Sequence, residues 1–287
     1  MRLSVFSYLC PGDVFALPAG LPGANGGARA RARWPFIGAD GVMVARTLAA
    51  WKCASTTIIC NDLGADVRGR ETLATLHGEG VTVAAKLRPD LQTPYEVDLV
   101  DALGNRAFIV QESACWATCG EADTSSLAGA DALYADFYAF PGVPRAVRAA
   151  AAADVPVYLN ADRSLDAHNR ALIAQSRWAQ ISMAEEEDAP LADAVSLARA
   201  AQALGPALVI VTRGRHGAVA FDGRDLHVAP APQVAVQDAQ GAGAAFAAAM
   251  LCALLDGRDA DAALAFAVRV GSTKVGQQGL LKALPAG

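Results

Sequence analysis

Short β-branched runs alternate with Ala/Leu-rich runs along most of this chain, and that alternation limits the folds open to it. "STTIIC" (55–60), "ADALYADF" (130–137), "VPVYLNAD" (155–162), "RWAQISM" (177–183) and "PALVIVTRG" (206–214) read as strands. "GRETLATLHGEG" (69–80) reads as a helix: Leu73, Leu76 and His77 share a face at i, i+3 and i+4, and Gly80 ends it. Further helices are expected at 144–153, 164–175, 191–204, 241–255 and 261–275. Strand–helix alternation over this length implies an α/β fold: a doubly wound, mostly parallel sheet with helices on both faces. Two stretches interrupt the rhythm. "YEVDLVD" (95–101) and "ALGNRAFIV" (102–110) read as a hairpin turning at Gly104-Asn105, and residues 5–35 also alternate. Together they predict a small β-sheet lid, with strands from about 8–35 and 93–110, on a single domain spanning 1–287.

Composition narrows the function class. Hydrophobic residues make up 53% of the 287 and charged residues 18%, enough for a sizeable core. The net charge of −5 argues against nucleic acid as a partner, since that footprint is basic. The most apolar stretch, 241–255, is mostly alanine and shorter than the roughly 20 residues a membrane span needs. "MRLSVFSYLC" lacks a small-x-small cleavage site and reads as a first strand rather than a signal peptide. Six cysteines lie mostly in apolar surroundings, and Cys115-x-x-x-Cys119 has no ligand-pair spacing. The expectation is a reduced, cytoplasmic protein without a membrane partner.

Three local patterns carry chemistry. In "GARARARW" (27–34), Arg29, Arg31 and Arg33 recur every second residue, so in a strand all three share one face. That face is either a solvated lid surface or a cationic wall that meets an anionic ligand. "VIVTRGRHGAVAF" (209–221) sets Thr212-x-Gly214-x-x-Gly217 after a strand, where glycine permits a tight turn and close backbone approach. "DAQGAGAAFAAAM" (238–250) opens a helix with Gly241, Ala242 and Gly243, whose peptide N–H groups and helix dipole suit an anion.

Taken together, the last two patterns resemble the ribokinase-like (PfkB) carbohydrate kinase family, and other segments follow in order. Gly64, Asp66 and Gly69 resemble its G-x-D-x-x-G segment. "TPYEVDLVDALGNRAFI" (93–109) resembles its lid strands, with Leu103-Gly104-Asn105-Arg106 at the turn. Residues 262–279 resemble its closing helices. The resemblance implies a ribokinase-like fold and phosphoryl transfer from ATP to a sugar hydroxyl with Mg²⁺. It places ATP or ADP between Thr212, Gly214, Gly217 and the 241–243 anion hole, and a sugar or sugar-phosphate-like ligand beneath the lid near Asp13, Gly38 and Asp40. It also makes Glu187 a metal-site residue and a homodimer through the lid strands a plausible assembly.

The chain departs from that pattern where the chemistry sits. The carboxylate that takes the hydroxyl proton in the family falls on Ala244, and alanine accepts no proton. The N-x-x-E segment appears as Ala184-x-x-Glu187, which weakens the Mg²⁺ expectation. The G-G-x-x-x-N segment appears as Ile37-Gly38-Ala39-Asp40-Gly41-Val42, Asp-Thr appears as Asp238-Ala239, and Asn160 stands where Asp is usual. Asp238 is a possible substitute base, and Asp40, Asp62 and Asp162 are further acids for the cleft. The reading is a catalytically weak or inactive relative that binds a nucleotide or phosphorylated small molecule. The alternatives are an active kinase with a relocated base and an unusual, anionic substrate, a different reaction on the same cleft, and a purely structural or regulatory protein.

Overall fold

Within Leu208–Thr212, Ile210 packs into one hydrophobic cluster while Val209 and Val211 pack into another. That is the two-sided burial a strand shows when helices cover both faces of its sheet. Leu3 and Val5 against Phe6, and Tyr134 against Leu133 and Ala135, divide in the same way. The computed structural model describes residues 1–102, 106–137, 142–161, 165–183 and 190–283.

The chain begins β1 (Arg2–Phe6), β2 (Cys10–Ala16), β3 (Ala32–Gly38), α1 (Asp40–Ala50), β4 (Ser55–Ile59), β5 (Leu63–Gly64) and α2 (Val67–Gly78). It continues β6 (Thr82–Ala84), β7 (Leu87–Arg88), β8 (Glu96–Val100), β9 (Arg106–Val110), β10 (Ala132–Asp136), α3 (Val143–Ala152), β11 (Val157–Ala161) and α4 (Ala167–Ile173). It closes with β12 (Trp178–Ser182), α5 (Leu191–Gln202), β13 (Leu208–Thr212), β14 (Ala218–Phe221), β15 (Leu226–Ala229), α6 (Ala242–Leu255) and α7 (Ala260–Val275). Among the described residues, nine strands form one sheet in the order β15-β14-β13-β12-β11-β10-β1-β4-β6. All neighbours are parallel except β13–β14 and β14–β15. Helices α1, α6 and α7 line one face, and α3, α4 and α5 the other. The lid is a second sheet, β3-β2-β8-β9, in which β2 and β8 are parallel and the other pairs antiparallel. No helix among the described residues is long and apolar enough to cross a membrane.

Two helix starts matter for the site. α1 carries no side-chain cap of its own; Asp136, at the end of β10, supplies one by accepting from Gly41 N–H (2.8 Å) and Ser7 Oγ (2.5 Å). α6 begins at Gly241, whose φ of +77° glycine tolerates, and it also has no side-chain cap. From Ala244 to Ala253, α6 is buried on every side, as expected of a helix apolar all round, and it packs on α1 and α7.

Several expectations need correction. The arginine face does not form: β3 starts at Ala32, so Arg29 and Arg31 lie in the irregular segment before it and only Arg33 sits in a strand. The chain there is held by one bond, Arg31 N–H to Ala16 O (2.8 Å), rather than by a ladder. Helix α1 was not anticipated, because its glycine-rich start hides Val42, Val44, Ala45 and Leu48, which are buried. The expected helix at 164–175 is the shorter α4. Leu103-Gly104-Asn105, Asp162, Ala184 and Glu187 lie outside the described residues.

Candidate functional site

The parallel strands β1, β10, β11, β12 and β13 all run the same way, so Ser7, Asp136, Asn160, Ser182 and Thr212 gather at their carboxyl edge. In open α/β sheets that edge is where ligands bind. The start of α6 stands between the lid, α1 and α7. Its first intrahelical bond is Ala245 N–H to Gly241 O (2.9 Å), which leaves the N–H of the exposed Gly243 for water or a ligand. Gly243 is exposed, and a Cβ there would meet only open space. The expected three-peptide cradle is thus modified: Ala242 N–H turns back to Ala239 O (3.2 Å). The Ala244 methyl is 1% exposed and belongs to the core.

Asp238, the substitute base expected from sequence, is committed elsewhere. Its Oδ1 accepts from Gln240 N–H (3.0 Å), and its Oδ2 accepts from Lys274 Nζ (3.1 Å) and Gly279 N–H (3.0 Å). Both Asp238 and Lys274 are 3% exposed. A carboxylate so occupied is a clamp rather than a free proton acceptor, and in this role the expectation is corrected.

The lid brings a second set of charges to the same edge. Glu96 and Asp98 share one face of β8, and both are buried. Arg106, from β9, reaches Asp98 Oδ2 with Nε (3.0 Å) and Nη2 (2.8 Å), and Glu96 Oε1 with Nη2 (3.2 Å). Gln240 Nε2 donates to the same Asp98 Oδ2 (2.5 Å), so the segment before α6 touches the lid directly. Asp98 Oδ1 is buried without a partner among the described residues. Burial, reinforced by the Asp98 charge, pushes the Glu96 carboxyl up to about 7. Burial likewise raises Asp40, against the Arg106 charge and the hydrogen bond from Asn160 Nδ2 (3.2 Å).

Asp13 is not free beneath the lid. Arg33 Nη2 donates to its Oδ2 (2.6 Å), as does the Tyr95 hydroxyl. Burial raises this carboxyl, but those two donors outweigh it and hold it below the usual range. Arg33 therefore pairs with an internal acid through Nη2, while most of its side chain stays exposed. Gly38 ends β3, pairs with Cys10 and leads through Ala39 into α1, so it shapes the turn that presents Asp40. Asp62 is held at Lys86 N–H (2.8 Å), away from these groups.

On the other flank, Thr212 ends β13 and its hydroxyl donates to Ser182 Oγ (3.0 Å). Gly214 is exposed at the turn, and Gly217 has a φ of +86°, where a Cβ would collide with the carbonyl of Ala229. That close approach packs the 214–217 turn onto the chain leading from β15 towards α6. A cavity of about 420 Å³ opens on the far side of Gly241, lined by Trp34 and Phe36 of the lid, Met43 of α1, Lys274 and Leu281. Among the described residues no group of three or more His, Cys, Asp or Glu gathers to hold a metal.

Residues 36–286 match the family described as pfkB family carbohydrate kinase. The chain belongs to the PfkB family. Its structure also resembles solved PfkB-type kinases throughout. A ribokinase from Thermotoga maritima is 18% identical, with a TM-score of 0.79 over 99% of this chain and 96% of that one. Burkholderia thailandensis nucleoside kinase in complex with inosine gives 18%, 0.77, 99% and 93%. Arabidopsis thaliana ribokinase complexed with ribose and ATP gives 20%, 0.74, 99% and 95%. No curated protein matches the chain. Against this PfkB background, Arg106, Asp98, Gln240 and Lys274 stand out as residues the motif reading did not single out for the cleft. Glu96 and Asp98 were visible as two acids on one strand face; Lys274 was visible as one lysine in an apolar helix.

Proposed function

We propose that this PfkB-family protein binds a phosphate-bearing small molecule, a nucleotide or a phosphorylated metabolite, at the start of α6, and transfers phosphoryl groups slowly or not at all. The observation that carries the reading is a helix start open at Gly243 beside a buried Ala244 methyl, with Asp238 clamped by Lys274. The exposed Gly243 N–H at a positive helix end suits an anion. Solved relatives bound to ATP with ribose, and to inosine, support a nucleotide and a polar small molecule as the ligand classes. ATP or ADP would lie between Thr212–Gly217 and Gly243, and a sugar-like molecule beneath the lid near Asp40, Asp98 and Arg106. With Glu187 outside the described residues, no Mg²⁺ ligand set supports the metal expectation. General-base assistance contributes about 10²–10⁴-fold, and it is absent at position 244.

The test is calorimetry with ATP, ADP and sugar phosphates beside an ADP-release assay over a panel of sugars and nucleosides. Binding with turnover far below the roughly 1–100 s⁻¹ of ordinary kinases is expected. Turnover in that range by the natural sequence would overturn the reading. Ala244→Asp restores a carboxylate and is expected to raise transfer about 10²-fold or more on any ligand that binds.

One observation favours an active enzyme with a relocated base. Asp40 keeps some exposed surface, is raised in pKa chiefly by burial, and accepts from Asn160 Nδ2. Loss of residual turnover in Asp40→Asn, with ligand binding retained, would favour this second reading.

A further inference from the structure

Lys274 is a charged group in a place that needs an explanation. It lies in the last turn of α7 and is 3% exposed, so its ammonium has left water. Burial lowers its pKa, and the Asp238 carboxylate opposes that shift. All three ammonium contacts are oxygens: Asp238 O (2.8 Å), Asp238 Oδ2 (3.1 Å) and Gln277 O (3.3 Å). Two of them belong to one residue, so the lysine grips both the backbone and the side chain at 238. The neighbouring bonds act in the same direction. Gln237 and Asp238 N–H both donate to Val275 O (2.9 and 3.1 Å), and Asp238 Oδ2 also takes Gly279 N–H (3.0 Å). Asp238 Oδ1 then takes Gln240 N–H, which sets the turn into Gly241 (3.0 Å). A chain of hydrogen bonds therefore runs from Lys274 through Asp238 to Gln240, the residue before the left-handed Gly241 that starts α6.

We infer that Lys274 is a positioning residue for the anion-binding start of α6: its ammonium fixes the 238–241 segment and so aims the exposed N–H of Gly243. This inference rests on the reading that an anion binds there. α6 has no side-chain cap to hold its own first turn, so the fixing must come from outside the helix. The Lys274 Cε lies 3.9 Å from where a Gly241 Cβ would stand, so the lysine stem also packs beside that residue. The adjoining cavity of about 420 Å³ gives the segment room to relax once the clamp is cut. A buried pair of this kind is weak evidence for net stability, because desolvation offsets the attraction, whereas removing one partner strands the other. Geometry rather than stability is thus the property it can best control.

The experiment compares the natural sequence, Lys274→Met, Asp238→Asn and the double variant. The readouts are amide hydrogen exchange of residues 238–246, chemical denaturation, and calorimetric binding of ADP and inorganic phosphate. Lys274→Met is expected to speed exchange across 238–246 while the central strands stay protected. It should weaken ADP about tenfold or more, the equivalent of one lost charge-assisted hydrogen bond. The double variant leaves no stranded charge, so its denaturation midpoint should recover while ADP affinity stays low. Recovery of both together means a merely structural pair and overturns the inference. So does unchanged exchange over 238–246 in Lys274→Met. If that variant does not fold, the milder Asp238→Asn decides by the same exchange and affinity readouts. If the natural sequence binds neither ADP nor phosphate, the anion-binding reading fails on its own; the exchange result then still decides whether Lys274 positions this segment.

Discussion

Glu96 shows how a single side chain under the lid couples the fold to pH. Its carboxyl is pushed up to about 7 by burial and by Asp98, so the folded chain holds this proton more tightly than the unfolded chain does. The contribution to stability is therefore complete below the ordinary carboxylate range and is lost as pH rises through about 7. Glu96→Gln should flatten that part of the stability curve, leaving the denaturation midpoint near pH 5 little changed and raising it at pH 8. A midpoint equally shifted at both values would show that the charge is not the cause. Asp66 has the opposite sign. Burial raises it, but Gly69 N–H and Thr93 N–H and Oγ donate to it and hold it below the usual range. Its stabilising part is present at neutral pH and fades only on acidification. Of these groups, Asp66 was legible as part of a motif. The pairing of Asp13 with Arg33 and Tyr95 was not, because an alternating arginine run does not reveal where its strand begins.

At the scale of elements, the long periodic segments were the legible ones. α5 and α7 carry a helical period in their own residues, while β10–β13 and α6 are legible as unbroken apolar runs bounded by turn signals. α1 was hidden because a carboxylate from β10, 95 positions away, satisfies its first turn. The two-residue strands β5 and β7 and the 3₁₀ turns at Ala114–Glu121 have no period long enough to detect. α6 illustrates a constraint that composition only hints at. Its run of alanines allows α1 and α7 to approach from two sides at once, and Ala248 has no exposed surface. Ala248→Leu should therefore cost about 1–3 kcal/mol in chemical denaturation, the range typical of overpacked cores. A change below about 0.5 kcal/mol, typical of a surface site, would mean that the helix has slack on that face.

Across the whole molecule, the cleft was less legible than the fold because its residues come from distant parts of the chain. Gln240 and Asp98 are 142 positions apart, and Ser7 and Asp136 are 129 apart. The lid has an outward feature as well: Phe108 and Ile109 on β9, a sheet edge, are 61% and 68% exposed. An apolar edge strand is a template for pairing, and the homodimer that the family resemblance implies would use it. Ile109→Lys should then turn a dimer into a monomer in light scattering; a natural chain that is already monomeric at high concentration would rule that assembly out. The Lys274 clamp carries a consequence for biogenesis. Asp238 cannot be gripped until a residue 36 positions later has been made and α7 has docked. The central sheet, by contrast, has its last strand at Leu226–Ala229. On a ribosome emitting about 5–20 residues per second, the sheet can assemble before the α6 start is locked. A newborn chain thus passes through a stage in which every strand of the sheet exists but the α7 side of the core is still open, and chains truncated before 274 should keep rapid amide exchange over 238–246.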